Sequence, residues 1–513
     1  MSWWQWALAG LTAFFVVLTI YDVVQKKHTI LRNFPVIGHL RYILEAVGPE
    51  LRQYIVTDND SDKPFSRDQR RWVYSSAKKT NTYYGFGTDN DLEGSNHYLI
   101  IKQASFPLEE HRPGETAYDP GSALPMAKVL GGARGRRDAF RPASAVNISS
   151  MSFGSLGARA VEALNRGAAL AGCWQGTGEG GISEYHHHGG DLVWQIGTGY
   201  FGCRDAHGRF DLARFRDVVE AVPAIRAIEI KLSQGAKPGL GGLLPAEKVT
   251  PEIARIRGVE PGVDCVSPAA HSAFRDADSL LDFVELLAET SGKPVGVKSA
   301  VGDESLFRDL ARLMERGDRG IDFLNIDGGE GGTGAGPLVF TDHVALPFKV
   351  GFSRVYRTFA ESGITDRVVF IGAGKLGLPG QALLAFALGC DGVNVGREAM
   401  LAIGCIQAQR CHTDRCPTGV TTHSAWRQRG LDPASKSVRC ANYVVQLRRE
   451  ILRLSQACGV VHPAFVTTEQ IEILDDRYGS RSARDVFAYE PGWGRPSEAD
   501  RATIHDLMST PTS

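Results

Sequence analysis

A (β/α)8 barrel, an α/β fold, is the architecture predicted for residues 141–400, and three observations predict it. Eight short, β-rich apolar runs end in glycine or polar residues. Between them lie longer stretches whose apolar residues are spaced three and four apart, as on amphipathic helices. The repeats together fill roughly 250 residues, the usual size of such a barrel. Strands alternating with helices imply parallel βαβ units; a doubly wound open sheet is the competing arrangement.

The elements follow in chain order. WWQWALAGLTAFFVVLTIYDVV (3–24) holds no charged residue before Asp22, and up to that point Gln5 is its one strongly polar side chain, in addition to the hydroxyls of Thr12, Thr19 and Tyr21. As a helix it is long enough to cross a ~30 Å hydrocarbon core. A cleaved signal would carry positive charge ahead of the apolar run and small residues behind it. Here Lys26, Lys27 and Arg32 follow the run, and VVQKKH offers no cleavage site. The expectation is a single-pass anchor in the cell (inner) membrane with the catalytic body on the cytoplasmic side. A cleaved signal or a buried helix is the alternative. Residues 28–140 read as a segment wrapping the main domain. In it FPVIGHLRYILEAVGPELRQYI can hold a short amphipathic helix, whereas 66–145 reads as irregular, with short apolar runs such as HYLIIKQ.

The eight strand candidates are AVNISSM (145–151), GCWQGTG (172–178), LVWQIGTG (192–199), AIEIKLS (227–233), PVGVKSA (294–300), DFLNIDG (322–328), VVFIGAG (368–374) and DGVNVGRE (391–398). A ninth run, DCVSPA (264–269), is placed in a connection. DSLLDFVELLAET and SLFRDLARLMERG have helical spacing. A segment at 401–425 is rich in cysteine. Residues 426–500 form a helical extension, with one long helix over KSVRCANYVVQLRREILRLSQAC (436–458), smaller helical pieces after it, and a frayed last dozen residues.

Composition narrows the function. Forty-three per cent hydrophobic and 22% charged residues are ordinary for a globular chain. A net charge of −1, with no zinc-finger spacing or long basic run, argues against nucleic acid as a partner. Glycine, at 58 residues, falls in tight clusters that suit loops where backbone approaches a ligand. Nine cysteines do not make a secreted disulfide framework, and a reducing compartment is the simpler reading.

Three segments match G-x-G-x-x-G: Gly176-Gly178-Gly181, Gly329-Gly331-Gly334 and Gly372-Gly374-Gly377. None has the acidic residue about twenty positions on that a dinucleotide fold needs. The third follows the seventh run, and the eighth ends in Gly396-Arg397. Loops after strands 7 and 8 of a barrel commonly hold a phosphate, so these two read as a phosphate cradle, with plain tight turns as the alternative. The fourth run leads into IKLSQGAKPGLGG, where Lys231, Gln234 and Lys237 cluster beside glycines and suit an anionic ligand such as a dicarboxylate or reduced flavin. Lys298 ends the fifth run and Asp327 the sixth. A buried lysine near a flavin's N1–C2=O edge stabilises the charge gained on reduction. His186, His187 and His188 lack the i, i+4 spacing of helical metal ligands and read as a loop near the site. GCIQAQRCHTDRCPTGV (404–420) spaces Cys405, Cys411 and Cys416 as C-x5-C-x4-C. That spacing leaves an iron–sulfur cluster, zinc and structural thiols open. Three thiolates with only His412 nearby as a fourth ligand favour a three-iron cluster over zinc.

Taken in order, SSMSFGSLG (149–157), QGTGEGG (175–181), IEIKLSQGAKPGLGGLLPAEKV (228–249), GGEGGTGAGP (328–337) and the cysteine stretch resemble the central synthase region of glutamate synthases. The likeness spans about residues 140–480 and is nearest to the short FMN-binding form. It implies a flavin barrel beside a [3Fe-4S] cluster, with electrons passing from cluster to FMN. Reduced FMN then delivers hydride to an iminoglutarate formed from 2-oxoglutarate and ammonia. By this resemblance Cys405, Cys411 and Cys416 hold the cluster. Ser152, Gly154, Gln195, Lys298, Asp327, Gly329, Gly372, Gly374, Gly396 and Arg397 lie at the flavin. Glu179, Lys231, Gln234 and Lys237 are catalytic and, with the loosely matched Arg257, surround the 2-oxo acid.

The departures also carry expectations. The chain begins MSWWQW where the glutamine-dependent synthases begin with a catalytic cysteine, and no amidotransferase, C-terminal β-helix or NAD(P)H-binding domain is visible. Ammonia is therefore expected from outside or from a partner, and electrons from ferredoxin or an NAD(P)H-oxidising subunit. The alternatives are a different amino or 2-oxo acid as substrate, or a non-catalytic electron-relay subunit of a membrane complex.

Overall fold

All eight runs form strands, and the strands close on themselves. The computed structural model describes residues 2–83, 85–108, 124–477 and 479–509. In it β1 (Val146–Ile148), β2 (Trp174–Gly176), β3 (Asp191–Ile196), β4 (Ile225–Lys231), β5 (Val295–Ser299), β6 (Phe323–Asp327), β7 (Val369–Ala373) and β8 (Gly392–Val395) make a closed parallel barrel. Closure is the pairing of β8 with β1, Val393 beside Val146 and Val395 beside Ile148. An open sheet is thereby excluded. Helices cover the outside and side chains fill the inside, so β5 to β8 are buried at every position. That is why these runs read as continuously apolar rather than alternating. The ninth run lies outside the barrel, where Cys265–Val266 pairs antiparallel with Leu243–Leu244 in the connection from β4 to β5.

The helices obey their local signals. Ala277–Ser291 starts at Asp276, whose carboxylate accepts from Ser279 N–H at 2.9 Å, and stops at the left-handed Gly292. Pro433–Ala457 has proline in its first turn and Asp432 as its cap. It crosses Ala158–Ala171, the helix after β1, so closely that a Cβ on Gly167 would lie 2.6 Å from Cys440 Cβ. The missing side chain lets the C-terminal extension dock on the barrel.

Three expectations need correction. Residues 66–145 are not wholly irregular, because Arg67–Lys78 is a helix. Its apolar stripe is thin, and it is held by packing that no local pattern reveals. Val73 and Ala77 are buried, the Trp72 ring meets Tyr443 edge-on at 6.1 Å, and Asn442 Nδ2 donates to Ala77 O. Nor is the extension purely helical. Leu99–Ile101 pairs antiparallel with Ile471–Leu474, which pairs in turn with Ser480–Ser482, a contact across some 370 residues. The chain end is not frayed as far as Ser509. Glu498–Ser509 is helical, and Ile504 is buried in a cluster with Ala127, Ala464 and Phe465. Residues 510–513, and 109–123 of the expected wrapping segment, lie outside the described residues.

By internal contacts the chain forms two units, Met1–Gln69 and Arg70–Ser513, so residues 28–69 belong with the N-terminal helix and 70–140 with the barrel. In the first unit Trp3–Val24 is one helix. Asp22 accepts from Val36 N–H at 2.9 Å and lies 2.9 Å from His39 Nε2. These bonds tie that helix to Val36, in the turn before Gly38–Leu51, and to His39 in the first turn of that helix, the amphipathic helix expected from the sequence.

Candidate active site

The chemistry-bearing side chains converge at the C-terminal ends of the strands. Glu179 follows β2, Lys231 ends β4, Lys298 lies at the end of β5 and Asp327 ends β6. Lys231 Nζ donates to Glu179 Oε1 at 2.6 Å and to Gln234 Oε1 at 3.1 Å, and Gln234 Nε2 donates to Gly332 O at 2.7 Å, after β6. Behind Lys231, His271 Nε2 lies 2.9 Å from its carbonyl, and His271 Nδ1 lies 3.0 Å from the Tyr200 hydroxyl. One side chain at a strand end is thus braced from two sides.

Charge is unevenly matched here. Lys231 is paired with Glu179, and Lys298 lies 3.5 Å from Asp327, both of that pair buried. Lys237 and Arg257 are each 6% exposed, yet among the described residues neither has a carboxylate within ion-pair distance. Arg257, on Pro251–Arg257, donates to Phe153 O at 3.1 Å and lies over the Phe201 ring at 5.2 Å. Burial and then the Lys231 charge push the Lys237 ammonium down to about 8; Glu179 opposes the shift and Arg257 adds to it. Burial disfavours the charged form of Glu179, but Lys231, Lys237 and Arg257 outweigh it and hold the carboxyl below its usual range. The cluster therefore contains two buried cations more than its carboxylates neutralise, an arrangement suited to a dianion.

Inside the barrel, Glu229 on β4 accepts from Gln195 Nε2 at 2.6 Å, Asn325 Nδ2 at 2.7 Å and Ser150 Oγ at 3.1 Å. Gln195 is thereby fixed at the barrel mouth. Burial opposes the charge of Lys298, but Asp327 and then Glu229 overcome it and raise its value.

The loops after β7 and β8 are walled by backbone. Gly374 sits at φ +115°, and a Cβ on it would lie 3.0 Å from Gly328 N, so only glycine holds that turn. At Gly396 a Cβ would meet nothing nearer than 3.6 Å, and Gly372 and Gly329 are closed in by Phe348 and Ala345 O. Arg397 turns its guanidinium to Glu330 O and ties the loop after β8 to that after β6. Ser152 N packs against Gly178, joining the loops after β1 and β2, and Gly154, at φ +105°, lies against Arg257. A glycine-walled loop pair with a buried lysine across the mouth fits a flavin phosphate and the flavin's N1–C2=O edge.

The three cysteines are unbridged and sit on a contorted loop, with Gln407, Gln409 and Asp414 all at left-handed φ between 55° and 59°. Burial pushes Cys405 up to about 12; the Gln407 N–H opposes this, and the charges of Cys411 and Cys416 add to it. Cys411 is raised by burial as well. In Cys416 burial is outweighed by the Thr418 and Thr421 hydroxyls, which lower its value. Cys405 thus feels both of the other thiols, and Cys411 feels Cys416. Among the described residues, no three metal-binding side chains gather tightly enough for a single ion.

The conserved region of glutamate synthase matches residues 134–461. The chain is 37% identical to the glutamate synthase large subunit-like protein YerD of Bacillus subtilis over 486 residues, 89% of this chain and 92% of that one. The chain belongs to the glutamate synthase family. It is an oxidoreductase of the kind that acts on CH–NH2 donors. The archaeal glutamate synthase (NADPH) of Methanocaldococcus jannaschii is 34% identical over 318 residues, 61% of this chain and 59% of that protein. Among solved structures, a flavocytochrome b2 with pyruvate bound is a remote likeness, 12% identical with a TM-score of 0.41 over 83% of this chain and 91% of that one.

Reading this glutamate synthase relative from sequence missed Glu229, Lys248, His271 and His423. For Glu229 a signal existed, an acid between Ile228 and Ile230 in a strand that had to be buried on both sides. His271 and His423 act through backbone carbonyls, Lys231 O and Gly154 O, that lie 40 and 269 residues away, and no local pattern marks such a contact.

Proposed function

We propose that this chain is a membrane-tethered, FMN- and [3Fe-4S]-dependent glutamate synthase that reductively aminates 2-oxoglutarate with ammonia supplied externally or by a partner. One observation carries the substrate: among the described residues, Lys237 and Arg257 are buried cations without a carboxylate at ion-pair distance, beside the Lys231–Glu179 pair. The two carboxylates of 2-oxoglutarate supply that missing charge. When bound, FMN supplies the hydride and the cluster supplies the electrons that reduce it. Lys231, held by Glu179 and Gln234, orients the oxo acid. Lys237 Nζ holds a proton that can move to the 2-oxo oxygen as water leaves. Cys405, Cys411 and Cys416 would hold the cluster, and the buried Lys298 would stabilise the charge the flavin gains on reduction. A ferredoxin or an NAD(P)H-oxidising subunit supplies the electrons; the relatives named for NADPH support the second. Purified protein given an artificial reductant, 2-oxoglutarate and ammonium forms glutamate under this reading. Flavin that bleaches and reoxidises with no glutamate formed overturns it in favour of another amino or 2-oxo acid.

The tether rests on two features. Trp3–Val24 is a 22-residue helix, long and apolar enough to cross a membrane, with nearly all its side chains exposed. Gly38–Leu51 then exposes Leu40, Leu44, Val47 and Leu51 at helical spacing, continuing the apolar surface beside Lys26, Lys27 and Arg32. A benzophenone side chain placed at Phe14 or at Leu44 in the full chain should label lipid on irradiation, and one placed at Glu45 should not. Labelling of protein alone at Phe14 removes the tether.

A further inference from the structure

Lys248 ends the single turn Ala246–Lys248 in the connection from β4 to β5 and is 1% exposed. Its Nζ donates to Ser155 O at 2.5 Å and to Cys411 O at 3.1 Å. Ser155 belongs to the loop after β1 that carries Ser152 and Gly154, and Cys411 to the cysteine loop after β8. Among the described residues no carboxylate lies within 4.0 Å of the ammonium. The anionic groups that reach it are Asp414, Cys411 and Cys416, and the Asp414 carboxylate is itself engaged by the His423 N–H at 2.8 Å. A buried ammonium held only by two neutral carbonyls has its dipoles satisfied and its charge unanswered. Under the proposed function, the loops it joins are those assigned to the flavin and to the cluster.

We propose that Lys248 is the fixed counter-charge of the iron–sulfur cluster and the positioning residue that clasps the cluster loop to the flavin-side loop. The inference rests on the reading that Cys405, Cys411 and Cys416 hold a cluster. Three thiolates and their irons form an anionic group that becomes more negative on reduction. A positive charge fixed beside it in low dielectric favours the reduced form, so it raises the reduction potential. The neighbouring bond from His423 Nε2 to Gly154 O, 2.8 Å long, ties the same two loops without adding a fixed charge and keeps them together when Lys248 is neutralised.

The test is a redox titration of full-length holoprotein, followed by the low-temperature EPR signal of the oxidised three-iron cluster. Lys248→Met should shift the midpoint to more negative potential at unchanged iron and FMN content, and Lys248→Arg should return it towards the parent value. An unchanged midpoint in a fully loaded Lys248→Met protein overturns the proposal. If Lys248→Met instead loses iron, Lys248→Arg decides: iron retained supports a charge role, and iron lost equally shows that only shape matters and overturns it. A parent protein without iron or the three-iron signal overturns the cofactor reading itself, a result distinguishable from all of these.

Discussion

Replacing Lys237 with methionine should reduce glutamate formation by about 100- to 5000-fold and leave the fold at least as stable as before. The loss follows from what the side chain is set beside. Removing one partner from a buried, charged contact costs roughly 3–5 kcal/mol, and here the substrate carboxylate is left opposite Arg257 and Lys231 with one cation missing. The gain in stability has the opposite origin. Among the described residues Lys237 has no carboxylate at ion-pair distance, and its folded value lies at about 8 against the usual 10.5. A depressed lysine costs folding stability below about pH 8, where both states would otherwise be charged. That cost is relieved as pH climbs from about 8 towards 10.5, the window in which the unfolded chain binds more protons. Methionine fills similar volume and removes the cost, so at pH 7 the melting temperature should stay level or rise. The same group predicts a pH profile. The ammonium discharges as pH rises through about 8, so kcat/KM for 2-oxoglutarate should fall on the alkaline side at that pH, since this ratio reports the free enzyme. A parent profile flat to pH 9.5, or a methionine variant with ordinary turnover, removes Lys237 from the site and favours an electron-relay subunit.

What the sequence disclosed, and what it hid, divides along the range of the interactions. The barrel was legible because each strand announces itself in a run of seven or eight residues and the periods of strand and helix differ. Lys231, Gln234 and Lys237 were legible for the same reason, being packed into one strand end. The helix Arg67–Lys78 was hidden because its burial comes from Tyr443 and Asn442, far along the chain. Leu99–Ile101 was visible as an apolar run but not as a strand, since its partner is Ile471–Leu474. The imbalance of charge at Lys237 and Arg257 was equally out of reach. Sequence showed cations at the strand ends, but only geometry shows that Glu179 takes Lys231, that Asp327 takes Lys298, and that the other two are left over.

Substituting Cys416 with serine should remove the cluster and leave the flavin. Among the three thiols Cys416 alone is lowered from its usual value, because the Thr418 and Thr421 hydroxyls outweigh its burial, so it is the thiolate most ready to meet iron. A serine hydroxyl in the same place stays protonated and leaves one iron without its protein ligand. With three protein ligands for the whole cluster, that loss is not made good by Cys405 and Cys411, each of which already serves an iron of its own. The flavin-side residues stand apart from this loop, at Gly374, Gly396 and Lys298, and the braces from Lys248 and His423 end on backbone carbonyls that the substitution does not touch. Iron content and the three-iron EPR signal should therefore vanish while the FMN absorbance remains. Glutamate formation driven by a protein electron donor should drop to background, because the route from donor to flavin is cut. A small reductant that reaches FMN directly should still bleach it and support residual turnover. That split between the two reductants separates a lost cluster from a misfolded chain, which would lose both. Full iron and an unaltered signal in the serine variant would move the cluster off this loop, and with it the role given to C-x5-C-x4-C.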